Sequence, residues 1–345
     1  MEVITSLPAD TELAEVAGRV QRIEELGFDT VHISETVRDP FAVCALALEH
    51  SSTLVVRTSM VVAFARSPMV TAYAAWELAR FSEGRFELGV ATQVRGNIVG
   101  RFSMPWTNPV AQLRDYIESL RAIFRAFGEG GDLDHCGSHY TFSRLQPYFN
   151  PGATGLVPPP IWTGGVNRQM CTLAGAVADG FVAHPTSSHP AMLRQYVLPA
   201  LAAGAQSRGR DDGGPQVVAV PRVIAGSDDA AVAAARDDVR SEIAFLYSTP
   251  AYQRTLELFG LQEVGTRLSA LAHEKQWDAL ADVLGDDVLG QLVPQGTYAE
   301  LPGVLASWYG ELCDGISLDT PPDETHDEEF AAMVGLVRDI PTRVS

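Results

Sequence analysis

Leu54-Val55-Val56-Arg57-Thr58-Ser59-Met60-Val61-Val62 is followed by the fourteen-residue run Pro68 to Phe81, and that in turn by Phe86-Glu87-Leu88-Gly89-Val90. The first and third runs are short, apolar and rich in β-branched residues, which reads as buried strand. The middle run is of helical length, and its proline stands at the first helical position, where a missing N–H costs nothing. The unit is therefore strand, helix, strand, and two strands joined by a helical crossover run parallel.

Working outward, the same rhythm repeats. Strands are expected at Glu2–Ser6, Thr30–Ser34, Leu54–Val62, Phe86–Val90, Ile161–Thr163, Gly180–Ala183, Val217–Ile224 and Gly315–Leu318. Helices are expected at Thr11–Leu26 (capped by Asp10 or Thr11 and closed by Gly27), Phe41–His50, Pro68–Phe81, Pro109–Phe127, Asn167–Val177, Pro190–Ala205, from Asp228 to about Tyr247, and near Phe330–Arg338. Eight strand–helix units in order predict an α/β fold of the (β/α)8 TIM-barrel kind. The whole chain, 1–345, reads as one such barrel domain, with insertions at about 92–108, 128–160 and 250–310. The first is a long polar loop and the second an excursion with a short hairpin. The third holds further helices. Asp211-Asp212-Gly213-Gly214 reads as a loop. An open doubly wound sheet is the runner-up fold, but no glycine-rich loop follows the first strand.

Composition sets the limits on function. The formal net charge of −18 argues against nucleic acid or an anionic membrane as the main partner. The apolar stretch Leu54 to Ala79 is broken by Arg57, Arg66 and Glu77, so it is not a plain membrane span. No basic n-region precedes an apolar run at the N-terminus, so no signal peptide is expected. The cysteines Cys44, Cys136, Cys171 and Cys313 are scattered, which suits a reducing cytoplasm. Lys275 is the only lysine, so a Schiff-base mechanism would rest on that residue alone.

A barrel carries its site at the C-terminal ends of its strands. Those ends hold Ser34-Glu35-Thr36, Phe64-Ala65-Arg66, Ala91-Thr92-Gln93-Val94-Arg95-Gly96-Asn97, Gly164-Gly165-Val166-Asn167 and His184-Pro185-Thr186-Ser187. Gly164-Gly165 joins a strand to a helix N-terminus, which admits two readings: a backbone cradle for a phosphate, or a turn that fits the βα geometry. Arg95 is either a phosphate partner or a solvated loop residue, and Glu35 either a proton carrier or a capping carboxylate. His184 is a donor to an anionic ligand or a structural histidine. His135, Cys136 and His139 have the wrong spacing for a well-formed metal site, and no metal is expected. Walker, HExxH and GxSxG patterns are missing, which lowers the ATPase, zincin and α/β-hydrolase readings.

Four segments carry a family resemblance. They are Ala79-Arg80-Phe81-Ser82-Glu83-Gly84-Arg85-Phe86-Glu87-Leu88-Gly89-Val90, Gly27-Phe28-Asp29-Thr30-Val31-His32-Ile33-Ser34-Glu35, Pro159-Pro160-Ile161-Trp162-Thr163-Gly164-Gly165 and Ala174-Gly175-Ala176-Val177-Ala178-Asp179-Gly180. Together, over roughly residues 1–225, they resemble the bacterial luciferase-like superfamily. Thr92-Gln93-Val94-Arg95 with Arg101-Phe102-Ser103-Met104-Pro105-Trp106 is similar to its coenzyme F-420-dependent (deazaflavin) oxidoreductase branch.

The resemblance implies a luciferase-like barrel with the cofactor across its mouth, and a non-proline cis peptide at Ser59-Met60 behind the ring. It places Glu35, Ser59, Met60, Thr92, Gly164 and Gly165 at the cofactor, with Glu35 as the catalytic candidate; Gln93, Arg95 and Val166, in the same strand-end loops, are further cofactor-binding candidates. Asn97, Trp106 and His184 are the substrate-contact candidates. The expected activity is hydride transfer between coenzyme F-420 and a small organic substrate, by a cytoplasmic homodimer. An FMN-dependent monooxygenase of the same superfamily and a non-catalytic flavin-binding paralogue are the alternatives. Thr36 keeps the last one open, because sugar-phosphate dehydrogenases of the family carry histidine there. Gln93 stands where the family often has glycine.

Overall fold

A computed structural model describes residues 1–210 and 213–343. The loop expected at Asp211–Gly214 is covered only at Gly213 and Gly214, since Asp211 and Asp212 lie outside the described residues. Eight parallel strands form the barrel: β1 (Glu2–Ser6), β2 (Thr30–Ile33), β3 (Val55–Thr58), β4 (Phe86–Ala91), β5 (Ile161–Gly165), β6 (Gly180–Ala183), β7 (Gln216–Ala219) and β8 (Gly315–Ser317). Each pairs with the next, and β8 closes on β1 with Gly315 opposite Glu2. Closure removes the exposed edges that an open sheet would leave.

The helices that follow these strands are α1 (Val16–Glu25), α2 (Pro40–Glu49), α3 (Pro68–Phe81), α4 (Pro109–Glu129), α5 (Arg168–Val177), α6 (Leu198–Ser207), α7 (Asp229–Tyr247) and α8 (Asp327–Arg338). Three of them begin on prolines whose preceding residue caps the helix. Asp39 accepts from the Phe41 and Ala42 amides, Ser67 from Met69, and Asn108 from Val110 and Ala111. The longest, α4, buries Leu113, Tyr116, Ile117, Leu120, Ile123, Phe124 and Phe127 and stops at Gly130, which takes φ 69°. Such side chains contribute roughly 1.5–3 kcal/mol each when fully buried. α8 starts three residues before the expected Phe330, because Asp327, Glu328 and Glu329 in its first turn complement the helix dipole. α1 starts late, at Val16, after a 3-10 turn over Leu13–Glu15 closed by the Glu12 N–H on Glu15.

Inside the barrel, Ile4, Trp162, Val182 and Val218 form an apolar plug with Met60 and Val220 packed on it. Below the plug lies a buried charge cluster. Arg57 is 1% exposed, donates to Glu87 at 2.6 Å and Glu2 at 2.9 Å, and stacks 3.6 Å from the Trp162 ring centroid. A buried guanidinium persists only when paired and hydrogen-bonded in this way. The plug and this cluster lie toward the bottom of the barrel, beneath the cavity at the C-terminal mouth.

The structure corrects four local readings. The third strand is not continuous to Val62: the Ser59–Met60 peptide is cis, as the resemblance implied, and the chain resumes pairing at Val61–Val62 against β4. The 92–108 segment is not all loop, since Arg95–Gly100 is a short helix. The seventh strand ends at Ala219, and Ile224–Gly226 instead pairs in parallel with Gln295–Thr297. The 250–310 region therefore supplies a strand as well as helices. Its buried apolar residues from Leu256 to Val293, with Ile243, Ala244 and Tyr247 of α7, form a cluster apart from the barrel core, while Leu301, Leu305 and Tyr309 join that core.

The 128–160 excursion holds the expected hairpin, with His135–Cys136 antiparallel to Thr141–Phe142. Asp115 on α4 clasps it. Its carboxylate accepts from His135 Nε2 at 2.7 Å and from the His139 and Tyr140 amides at 2.5 and 3.0 Å. Burial alone would raise this carboxyl, but those bonds carry it below its ordinary range. Gly137 is required there, because a Cβ would stand 1.8 Å from Asp115 Oδ1. Cys136 is exposed, and the described residues contain no group of three or more acidic, histidine or cysteine side chains placed to hold a metal.

Candidate active site at the barrel mouth

One cavity of about 730 Å³ opens at the C-terminal ends of the strands. It falls within the size range of small-molecule and cofactor sites. Four strand ends singled out in the sequence meet there: Glu35 and Thr36 after β2, Ala91 to Arg95 at the end of β4, Gly164 to Asn167 at the end of β5, and His184 and Pro185 after β6. The segment Ser59–Val62 forms another part of the wall, and Trp106 closes one side. Trp106 is held edge-on against Phe64, with ring centroids 5.9 Å apart.

Glu35 is fixed from two sides. Arg66 Nη1 donates to both carboxylate oxygens, at 2.7 and 2.6 Å, and the Val62 N–H donates at 2.7 Å. Glu35 thus ties β2 to the chain just beyond the cis bond. Arg66 also reaches Asp39 at 3.3 Å, the residue that caps α2. Thr36 offers its carbonyl to Arg101.

Gln93 takes φ 59°, in the left-handed region that favours glycine. Here the side chain folds back, and Oε1 accepts from the Val94 N–H at 2.9 Å and from Asn97 Nδ2 at 3.1 Å. Asn97, expected to touch substrate, does not line the cavity; it steadies Gln93 instead. Thr92 donates to the Gln93 carbonyl at 2.9 Å, which stiffens the same turn.

Gly164 and Gly165 are tightly packed. A Cβ on Gly164 would meet the Val182 carbonyl at 2.9 Å, and one on Gly165 would meet Met170 Cβ at 2.5 Å. Packing alone therefore demands glycine at both positions. In the first turn of α5, the Arg168 N–H is taken by Tyr196 Oη and the Met170 N–H by Asn167. The same crowding holds across the cavity floor at Gly89, where a Cβ would lie 1.9 Å from the Thr58 carbonyl and 2.6 Å from Met60 Sδ.

Several lining residues escaped the sequence reading. Ser6 and Val220 arrive from β1 and the end of β7, and Tyr252 from the 250–310 region. His32 reaches the floor of the cavity. Burial, with the nearby Arg57 guanidinium 3.2 Å from Nε2, holds it far below the usual histidine range and therefore neutral. Inward strand positions would have revealed Ser6 and His32 from their alternation; nothing local marks Tyr252.

The chain belongs to the luciferase-like monooxygenase family, whose model matches residues 1–310. It is 36% identical over 305 residues to an uncharacterized protein of Mycobacterium tuberculosis, covering 88% of each chain. The F-420-dependent hydroxymycolic acid dehydrogenase of the same organism is 28% identical over 235 residues, 64% of this chain and 61% of that one. The coenzyme F-420-dependent tetrahydromethanopterin reductase of Methanopyrus kandleri superposes with a TM-score of 0.78 at 16% identity, covering 99% of this chain and 98% of that one. The EDTA monooxygenase of Chelativorans gives 0.71 at 14% identity, covering 99% and 94%. These last two likenesses show the fold. Among the described residues no helix is long and apolar enough to cross a membrane.

Proposed function

We propose that this chain is an oxidoreductase passing a hydride between coenzyme F-420, seated in the mouth cavity, and a small organic substrate. The observation that carries the reading is the convergence of Ser59–Met60, Thr92–Arg95 and Gly164–Val166 on one cavity of cofactor size. A family relative that uses this cofactor supports it.

The lining suits a flat ring with polar edges. Met60, Val61, Val62 and Val182 give it apolar contact, while Ser34, Ser59, Thr92 and Asn167 offer hydrogen bonds. Two first-turn amides of α5 are already taken, so a cofactor phosphate would be met by the Gly164–Val166 backbone and by Arg95. When bound, the deazaflavin supplies the hydride chemistry. The chain's own part is to bind, orient and keep out water. Glu35 does this by pinning the Ser59–Val62 wall; to carry a proton it would first have to be released by Arg66 or the Val62 N–H. Gln93 sets the turn beside the ring, and Trp106 and Tyr252 wall the cavity against solvent. We expect a homodimer, which light scattering after size-exclusion chromatography would establish.

Fluorescence titration with F-420 and, separately, with FMN tests the assignment. Tight F-420 binding with weak FMN binding is expected. Preference for FMN would point to the monooxygenase alternative, and binding of neither would overturn the reading.

A further inference from the structure

His184 directly follows β6, caps the turn Pro185–Ser187 and lines the mouth cavity. The Thr186 N–H donates to its Nδ1 at 3.3 Å, and Thr186 Oγ1 lies 2.8 Å from the same atom. A backbone N–H can only donate, so Nδ1 is the acceptor and the neutral ring carries its proton on Nε2. Among the described residues Nε2 has no hydrogen-bond partner. Burial, with Arg222 adding to it, pushes the imidazole down to about 4, which keeps it neutral at physiological pH. Arg222 is itself paired with Glu242 and Asp319.

The second half of this corner comes from the 250–310 region. Tyr252 packs on the imidazole with ring centroids 4.5 Å apart and planes 32° apart, and it lines the same cavity. Its turn is tied to the element that orients the histidine. Buried Thr255 Oγ1 donates to the Thr186 carbonyl at 2.6 Å. Val182, Pro185 and Val220 add apolar lining to the same cavity.

We propose that the His184–Tyr252 corner is a substrate subsite for an uncharged oxygen, a carbonyl or hydroxyl on a small apolar molecule. Nε2–H donates to that oxygen, and Tyr252 walls the apolar body beside it. A neutral donor beside Tyr252, with Arg222 already paired to Glu242 and Asp319, favours a neutral acceptor, because a carboxylate would lose hydration without gaining a free counter-charge at this corner. In a ketone the same hydrogen bond draws charge toward oxygen without moving a proton. The proposal rests on the oxidoreductase reading of the cavity, and it assigns to the 250–310 region a share in choosing the substrate.

Nitrogen-15 NMR of histidine-labelled protein tests it, with cyclohexanone, methylcyclohexane and cyclohexanecarboxylate as probes. The expected result is a protonated Nε2 and bare Nδ1 on His184, with a saturable Nε2 shift caused by cyclohexanone alone. The opposite tautomer, an equal response to methylcyclohexane, or tighter binding of the carboxylate would overturn it. His184→Phe and Tyr252→Ala should each weaken cyclohexanone binding about tenfold, and with His184→Phe the F-420 affinity by fluorescence holds. An equal loss of F-420 affinity would assign the corner to the cofactor and overturn the proposal. Failure of the unsubstituted chain to bind F-420 would count against the proposed function alone, since the NMR result stands without it.

Discussion

Arg66 sets its guanidinium on both oxygens of Glu35, with the glutamate side chain 7% and the arginine side chain 17% exposed. This pair joins the end of β2 to the start of α3 across the cavity wall. It is the main reason to read Glu35 as a positioning group. Removing the Glu35 charge leaves the largely buried Arg66 with only its longer, exposed pairing to Asp39. Glu35→Gln should therefore cost roughly 3 kcal/mol, read as a lower urea midpoint at unchanged slope. A change under about 0.5 kcal/mol would place the pair among exposed bridges.

The floor beneath the cavity makes a second prediction. With 1.9 Å between a Cβ on Gly89 and the Thr58 carbonyl, Gly89→Ala must push β3 and β4 apart or displace Met60. We expect a loss of about 3 kcal/mol and loss of F-420 binding together. By contrast Gly96→Ala, where a Cβ meets nothing within 4 Å, should be silent in thermal melts.

How acid affects the fold follows from its buried histidines. Burial holds His32 far below its ordinary value, and holds His184 and His189 at about 4. In the unfolded chain each titrates near 6.5. Between those values the unfolded state binds protons that the folded state does not, so stability rises with pH across the window and falls on acidification. Glu87, raised by burial, opposes this in part. Melting temperatures should drop steadily from pH 6.5 toward 4, and His189→Phe should make that slope shallower. A flat profile would contradict the burial of these rings.

Thr255 gives a fourth test. Thr255→Val removes its bond to the buried Thr186 carbonyl. The substitution should cost about 1–2 kcal/mol and speed amide exchange over residues 250–258, with the barrel strands unchanged.

The barrel was legible because each strand–helix unit repeats a local pattern. Short apolar runs end in polar mouths, and prolines follow the capping residues Asp39, Ser67 and Asn108. Most of the site was legible for the same reason, since strand ends converge wherever a barrel closes. What stayed hidden depends on distant contacts. Ile224–Gly226 meets Gln295–Thr297 across some seventy residues of chain, and Tyr252 reaches His184 only because its region docks there. Asn97 misled because its position near a strand end was right while its side chain turned inward to Gln93.

Amide hydrogen exchange with and without F-420 tests the central claim most directly. The account predicts slowed exchange at Ser59–Val62, Thr92–Arg95 and Gly164–Val166, with little change on the outer helices. Saturable F-420 binding with protection confined to other parts of the chain would contradict a cofactor seat at the barrel mouth.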